Sequence, residues 1–69
     1  MVSNKEDDSY NVIVTAGSGL NVRKGPGTKY PVIKTLPKGF KDTVIQEVDG
    51  WGKLEKAKGY VSLNYVKKI

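Results

Sequence analysis

Phe40-Lys41-Asp42-Thr43-Val44-Ile45-Gln46-Glu47-Val48-Asp49-Gly50-Trp51-Gly52-Lys53-Leu54-Glu55 contains two strand-like runs, Phe40 to Val48 and Trp51 to Glu55, joined by Asp49-Gly50. Asp-Gly tolerates the positive φ angles of a type I′ turn, whose twist matches that of the flanking strands, so the stretch reads as a β-hairpin. Alternation then assigns its faces. Phe40, Val44 and Val48 share a parity and point inward, with Asp42 and Gln46 at the less buried places of that face and Ile45 on the opposite side. In the second run Gly52 and Leu54 share one face, Trp51 and Lys53 the other. Lysine is almost never fully buried, which puts Trp51 on the exposed side.

On both sides of the hairpin the chain is broken by turn signals: Gly17-Ser18-Gly19, Gly25-Pro26-Gly27, Pro37-Lys38-Gly39 and Lys58-Gly59. The gaps between them are too short for a helix. They are rich in Val, Ile, Thr and aromatic residues, so further strands are expected at Tyr10 to Thr15, Leu20 to Arg23, Val32 to Leu36, Gly59 to Val61 and Tyr65 to Lys67. Short strands at this spacing make an all-β barrel or sandwich. The sequence shows neither an internal repeat nor a low-complexity stretch.

The length of 69 residues allows one small domain. A domain of this size buries only about 60% of the surface its unfolded chain exposes, which suits a binding module better than a walled catalytic cleft. Cysteine and histidine are both absent. That removes thiol nucleophiles, imidazole bases and the ordinary zinc sites, so neither a metal nor a cofactor is expected. The longest aliphatic run, Val12-Ile13-Val14, is far too short for a membrane-spanning helix. Residues 1–9 form an acidic stretch without periodicity, with Glu6, Asp7 and Asp8 against Lys5, and read as a linker or frayed leader ahead of a folded unit spanning 10–69. This start does not resemble a signal peptide, so the chain is expected either to stay inside the cell or to be part of a longer exported protein. Beyond Ser9, eleven basic residues face four acidic ones, a net +7 that points to an anionic or carboxylate-bearing partner, the alternative for the individual lysines being a surface that serves solubility.

Three stretches carry a family resemblance: Gly19-Leu20-Asn21-Val22-Arg23-Lys24-Gly25-Pro26-Gly27-Thr28-Lys29-Tyr30-Pro31-Val32-Ile33; Leu36-Pro37-Lys38-Gly39 with Val44; and Gly50-Trp51-Gly52-Lys53-Leu54 followed by Gly59-Tyr60-Val61-Ser62-Leu63-Asn64-Tyr65-Val66. In order and spacing they resemble the bacterial SH3 (SH3b) family over about Tyr10 to Ile69. The resemblance implies a small, partly open barrel of two packed antiparallel sheets. It also implies a connection from Arg23 to Tyr30 folded over the barrel, and a 3₁₀ turn near Ser62 to Asn64. The function it implies is non-catalytic anchoring: such domains hold peptidoglycan hydrolases, phage endolysins and autolysins on the bacterial wall, outside the cell. Its implied partners are therefore peptidoglycan or an associated wall polymer and a catalytic domain elsewhere in the parent chain. The C-terminal Gly59-Tyr60-Val61-Ser62-Leu63-Asn64-Tyr65-Val66 also resembles the close of eukaryotic SH3 domains. However, the paired tyrosines of their first strand are missing at Tyr10-Asn11-Val12-Ile13, and the acidic loop is replaced by Arg23, Lys24 and Lys29. A basic proline-rich ligand therefore fits poorly.

An aromatic patch of Tyr30, Trp51 and Tyr65 is the sharpest site reading, because stiff ring faces suit a thin peptide or sugar. The alternative is that each ring is a half-buried barrel residue, and Tyr60 reads as a cover for the barrel end. Arg23 either forks onto a ligand carboxylate or fixes loop carbonyls. Lys24, which adds charge beside it, and Thr28 of the same loop are also expected among the ligand-binding residues. Asn64 either steadies the turn before Tyr65 or donates to a ligand, whereas Asn21 reads as structural. Gly25-Pro26-Gly27-Thr28 lacks the Lys-Ser/Thr ending and following helix of a phosphate loop, so it reads as a tight reversal. Glu47, Asp49 and Glu55 show no arrangement of a glycosidase pair. The expected function is thus a monomeric wall-targeting module; the alternative is a protein-interaction module reading an extended peptide or a neighbouring domain of its parent. Basic and aromatic residues are not interleaved on one strand, which weighs against nucleic acid.

Overall fold

The computed structural model describes residues 9–69. The expectation of an acidic leader, apart from Ser9, lies outside the described residues. The elements are β1 (Tyr10–Val14), β2 (Leu20–Arg23), β3 (Val32–Leu36), β4 (Lys41–Val48), β5 (Trp51–Leu54), β6 (Gly59–Ser62), a 3₁₀ turn (Leu63–Tyr65) and β7 (Val66–Lys68). The all-β expectation holds, and the bounds of β2 and β3 are those read from the sequence. The expected runs overshoot β1, β4 and β5 by one residue each, stop one residue short in β6, and start and end one residue early in β7, where local hydrogen bonds bend the chain. The Phe40 N–H donates to Pro37 O within a turn, the Lys58 N–H donates to Leu54 O, and Tyr65 closes the 3₁₀ turn instead of opening β7.

All pairings are antiparallel, in the order β3-β2-β6-β5-β4-β1-β7. The strands share one continuous ladder rather than dividing into two separately hydrogen-bonded sheets. Register shifts at Val22/Arg23 and Val44/Gln46 are the kind of irregularity that lets a single ladder bend and twist. Strands β3 and β7 remain as its edges. The β4–β5 turn is as expected: Asp49 and Gly50 have φ of 47° and 85°, the left-handed pair of a type I′ turn.

Period-two alternation builds the core. Val12 and Val14 of β1, Leu20 and Val22 of β2, Leu36, Val44, Leu54 and Val61 all point inward, with Ala57 closing one end. Each such side chain contributes roughly 1.5–3 kcal/mol on full burial. Phe40, expected on the inner face, is half-buried against the core; the register shift between Val44 and Gln46 turns Gln46 and Val48, expected on the inner face too, to the side of Lys53 and Trp51, and Ile45 is exposed as expected.

Asp42 corrects the reading of β4. Expected at a less buried place, it is 4% exposed. Its Oδ1 accepts from the Thr43 and Lys56 N–H groups at 2.7 and 2.9 Å, and its Oδ2 accepts from the Ala57 N–H at 2.9 Å. Burial of the carboxylate is compensated because these backbone donors replace its water. The side chain ties β4 to the turn between β5 and β6.

Candidate functional site

A groove of about 470 Å³ crosses the face made by β2, β6 and β5. The loop after β1 supplies Ala16, Ser18 and Gly19 to its lining, side chains too small to fill it. Arg23, Thr28, Trp51, Asn64 and Tyr65, all singled out from the sequence, line the rest together with Leu20, Asn21 and Ser62. The strand register explains this convergence, because Trp51 lies opposite Ser62 and the 3₁₀ turn follows Ser62 directly. Ser62 Oγ accepts from the Asn64 N–H at 3.4 Å, so the serine caps the turn that presents Asn64 and Tyr65. Tyr65 is 52% exposed, an apolar ring open to a partner. Trp51, expected on the exposed side, is half-buried instead. It sits on a central strand, between β4 and β6, where neighbouring side chains cover part of the indole.

The connection from Arg23 to Tyr30 is locked by its own residues. The Arg23 Nη1 donates to Thr28 O at 3.1 Å and to Tyr30 O at 2.9 Å, which is the loop-fixing alternative read from the sequence. The Tyr30 ring lies over Gly25: a Cβ there would stand 2.6 Å from the ring carbons, a distance no side chain tolerates. The Lys24 N–H donates to Pro31 O at 2.9 Å and closes the base of the loop. These contacts explain why arginine, glycine and tyrosine occur together at this spacing: the arginine satisfies carbonyls that the turn leaves over, and the glycine makes room for the ring.

The structure therefore separates the candidate residues. Arg23, Thr28, Trp51, Asn64 and Tyr65 meet in the groove. Tyr30 and Lys24 are exposed and are not among its lining residues; the Lys29 Nζ lies 5.9 Å from the Tyr30 ring centre. Asn21 is both structural, accepting from Thr35 Oγ1 at 3.3 Å, and part of the groove. Sequence reasoning missed Ser18 and Ser62. Only Ser62 left a signal, as a serine two residues ahead of the asparagine at the start of a short turn. Among the described residues no cluster of acidic side chains is placed to hold a metal ion. No described helix is long and apolar enough to cross a membrane.

A bent antiparallel ladder, a loop locked by arginine and tyrosine, and a groove closed by a 3₁₀ turn together define an SH3-like small domain. The family model for the bacterial SH3 domain matches residues 18–67, and the chain belongs to that family. It is also similar to a protein of Bacillus subtilis (strain 168) that carries the provisional name N-acetylmuramoyl-L-alanine amidase YrvJ, with 36% identity over 66 residues. The match takes in 93% of this chain but only 13% of that relative, so the chain corresponds to a small part of it.

Proposed function

We propose that this domain is a non-catalytic targeting module that binds peptidoglycan and holds a linked hydrolase, such as an amidase, on the bacterial cell wall outside the membrane. The observation that carries the reading is the groove, with Trp51 and Tyr65 as aromatic surfaces and Asn21, Arg23, Ser62 and Asn64 as polar lining. Extended peptides and cross-bridges are thin and flexible. A concave site with rigid rings gives them contact area, and convergent polar groups fix their direction. The groove lining contains arginine and no carboxylate, which agrees with a ligand bearing peptide carboxylates. The similarity to part of an amidase-named protein supports a role as the binding portion of a longer hydrolase.

A second reading, docking of an extended peptide or a neighbouring domain, rests on the edge strand β3, where Val32 and Ile33 are 45% and 46% exposed. One experiment separates the two: sedimentation with purified Gram-positive sacculi, before and after acid removal of teichoic acids, at low and moderate salt. Retention on stripped sacculi at moderate salt, lost in Trp51→Ala, is the expected result. No retention on any wall preparation overturns the targeting reading in favour of docking on a protein.

A further inference from the structure

The groove's outer wall continues beyond the residues that line it. Arg23 lies opposite Tyr60, Tyr60 opposite Lys53, and Lys53 opposite Gln46, so one row of side chains crosses β2, β6, β5 and β4. Residues opposite one another share a sheet face, and alternation puts Trp51 and Asn21 on that face too, each two positions from the row. Both line the groove. Arg23 of the row lines it as well, so the row and the groove are one surface, with Trp51 and Asn21 about 7 Å from the row along their strands.

Lys53 stands apart from the other lysines of the described residues. It alone is half-buried, while all the rest are exposed. Its Nζ lies 6.0 Å from the centre of the half-buried Tyr60 ring. Among the described residues it has no carboxylate partner, and neither has Arg23, whose Nη1 is occupied by two loop carbonyls. Two cationic residues thus stand on the strands to either side of Tyr60, their backbones roughly 10 Å apart across two strand spacings. A lysine that only aided solubility would extend into water. This one is half-buried beside a ring, and partial burial has already removed part of the freedom that binding would cost.

We propose that Arg23, Tyr60 and Lys53 form a second subsite, contiguous with the groove, that reads a free carboxylate on the wall peptide. Lys53 supplies the ion pair and Arg23 a second positive group. Tyr60 packs against the methyl or methylene next to the carboxylate. The inference rests on the peptidoglycan-binding reading and gives that ligand a polarity: its main chain lies along Trp51 and Tyr65, and its carboxylate lies over β6.

The test uses Trp51, the only tryptophan of the chain, as a fluorescent reporter. The probe is the soluble disaccharide-peptide fraction released from purified sacculi by a muramidase, used as released and after carbodiimide amidation of its carboxylates. The wild type is expected to bind the free-carboxylate form about tenfold more tightly than the amidated form. Lys53→Met should lower the first affinity to the level of the second and leave the second unchanged; Lys53→Arg should restore the preference. An unchanged denaturation midpoint confirms that the variants are folded. Equal wild-type affinity for both forms, or a preference that survives in Lys53→Met, overturns the subsite alone. If the wild type binds neither form and is not retained on sacculi, the targeting reading falls together with it.

Discussion

Asp42 and Trp51 show how a single side chain departs from the strand pattern around it. Parity placed Asp42 on the inner face and its charge argued against burial there. What decided the outcome was three backbone donors, two of them from a turn more than a dozen residues away, which alternation along β4 cannot reveal. Asp42→Ala leaves those N–H groups without their acceptor, and the expected loss of stability is roughly 2–4 kcal/mol, read as a lower urea midpoint at constant slope. Asp42→Asn keeps an acceptor oxygen but turns an amide NH₂ toward a donor, so its loss should be intermediate. Midpoints equal to the wild type in both variants would show that the clamp contributes nothing. At Trp51 the parity was right and the degree of exposure was not, because a central strand lends its neighbours' side chains as cover. Trp51→Ala should weaken retention on sacculi by roughly 1–3 kcal/mol while the barrel stays folded. Loss of stability in step with binding would make Trp51 a core residue.

Elements were legible wherever their cause was local. The Asp49-Gly50 turn needs nothing beyond its two residues, and both have the expected positive φ. Strands β2 and β3 are bounded by glycine and proline, and their expected limits match. The loop from Arg23 to Tyr30 was legible as a motif and only half legible as a mechanism. From the sequence Arg23 reads as either a ligand group or a loop fastener, and its Nη1 fastens the loop at the edge of the groove. The sequence groups Tyr30 with Trp51 as an aromatic residue, yet its ring closes over Gly25, a contact that depends on the path of the loop. Gly25→Ala should therefore distort the loop. The expected result is a stability loss of about 1–3 kcal/mol by chemical denaturation, with amide shifts in NMR concentrated between residues 23 and 31. Shifts spread evenly over the barrel would contradict a self-contained loop. The groove itself was not legible as a whole, because part of its lining comes from Ala16, Ser18 and Gly19, small residues with no chemical signature of their own.

For the molecule as a whole, the question is what holds the first and last strands to the central hairpin. Strand β1 lies between β4 and β7, and Tyr10 begins it. The Tyr10 hydroxyl donates to Glu47 near the end of β4, while the Lys68 Nζ of β7 lies 4.5 Å from the Tyr10 ring centre. One side chain thus joins three strands, including both that close the described chain. Burial, followed by the hydrogen bond to Glu47 and its negative charge, pushes the Tyr10 pKa up to about 12 from the ordinary value of 10.0. A proton held more tightly in the folded state stabilises that state fully below the unfolded pKa of 10.0, and the contribution is lost as pH rises toward about 12. Other lysines and tyrosines titrate in the same range, so the contribution is isolated by comparison with Tyr10→Phe, which keeps the ring and removes the proton. Urea midpoints of the two proteins, measured from pH 8 upward, should differ by a constant amount until about pH 10 and converge above it. Glu47→Gln, which removes the negative charge, should leave the onset near pH 10 and complete the convergence at lower pH. Parallel midpoint curves across the whole range would show that the clasp does not couple the terminal strands to the proton on Tyr10.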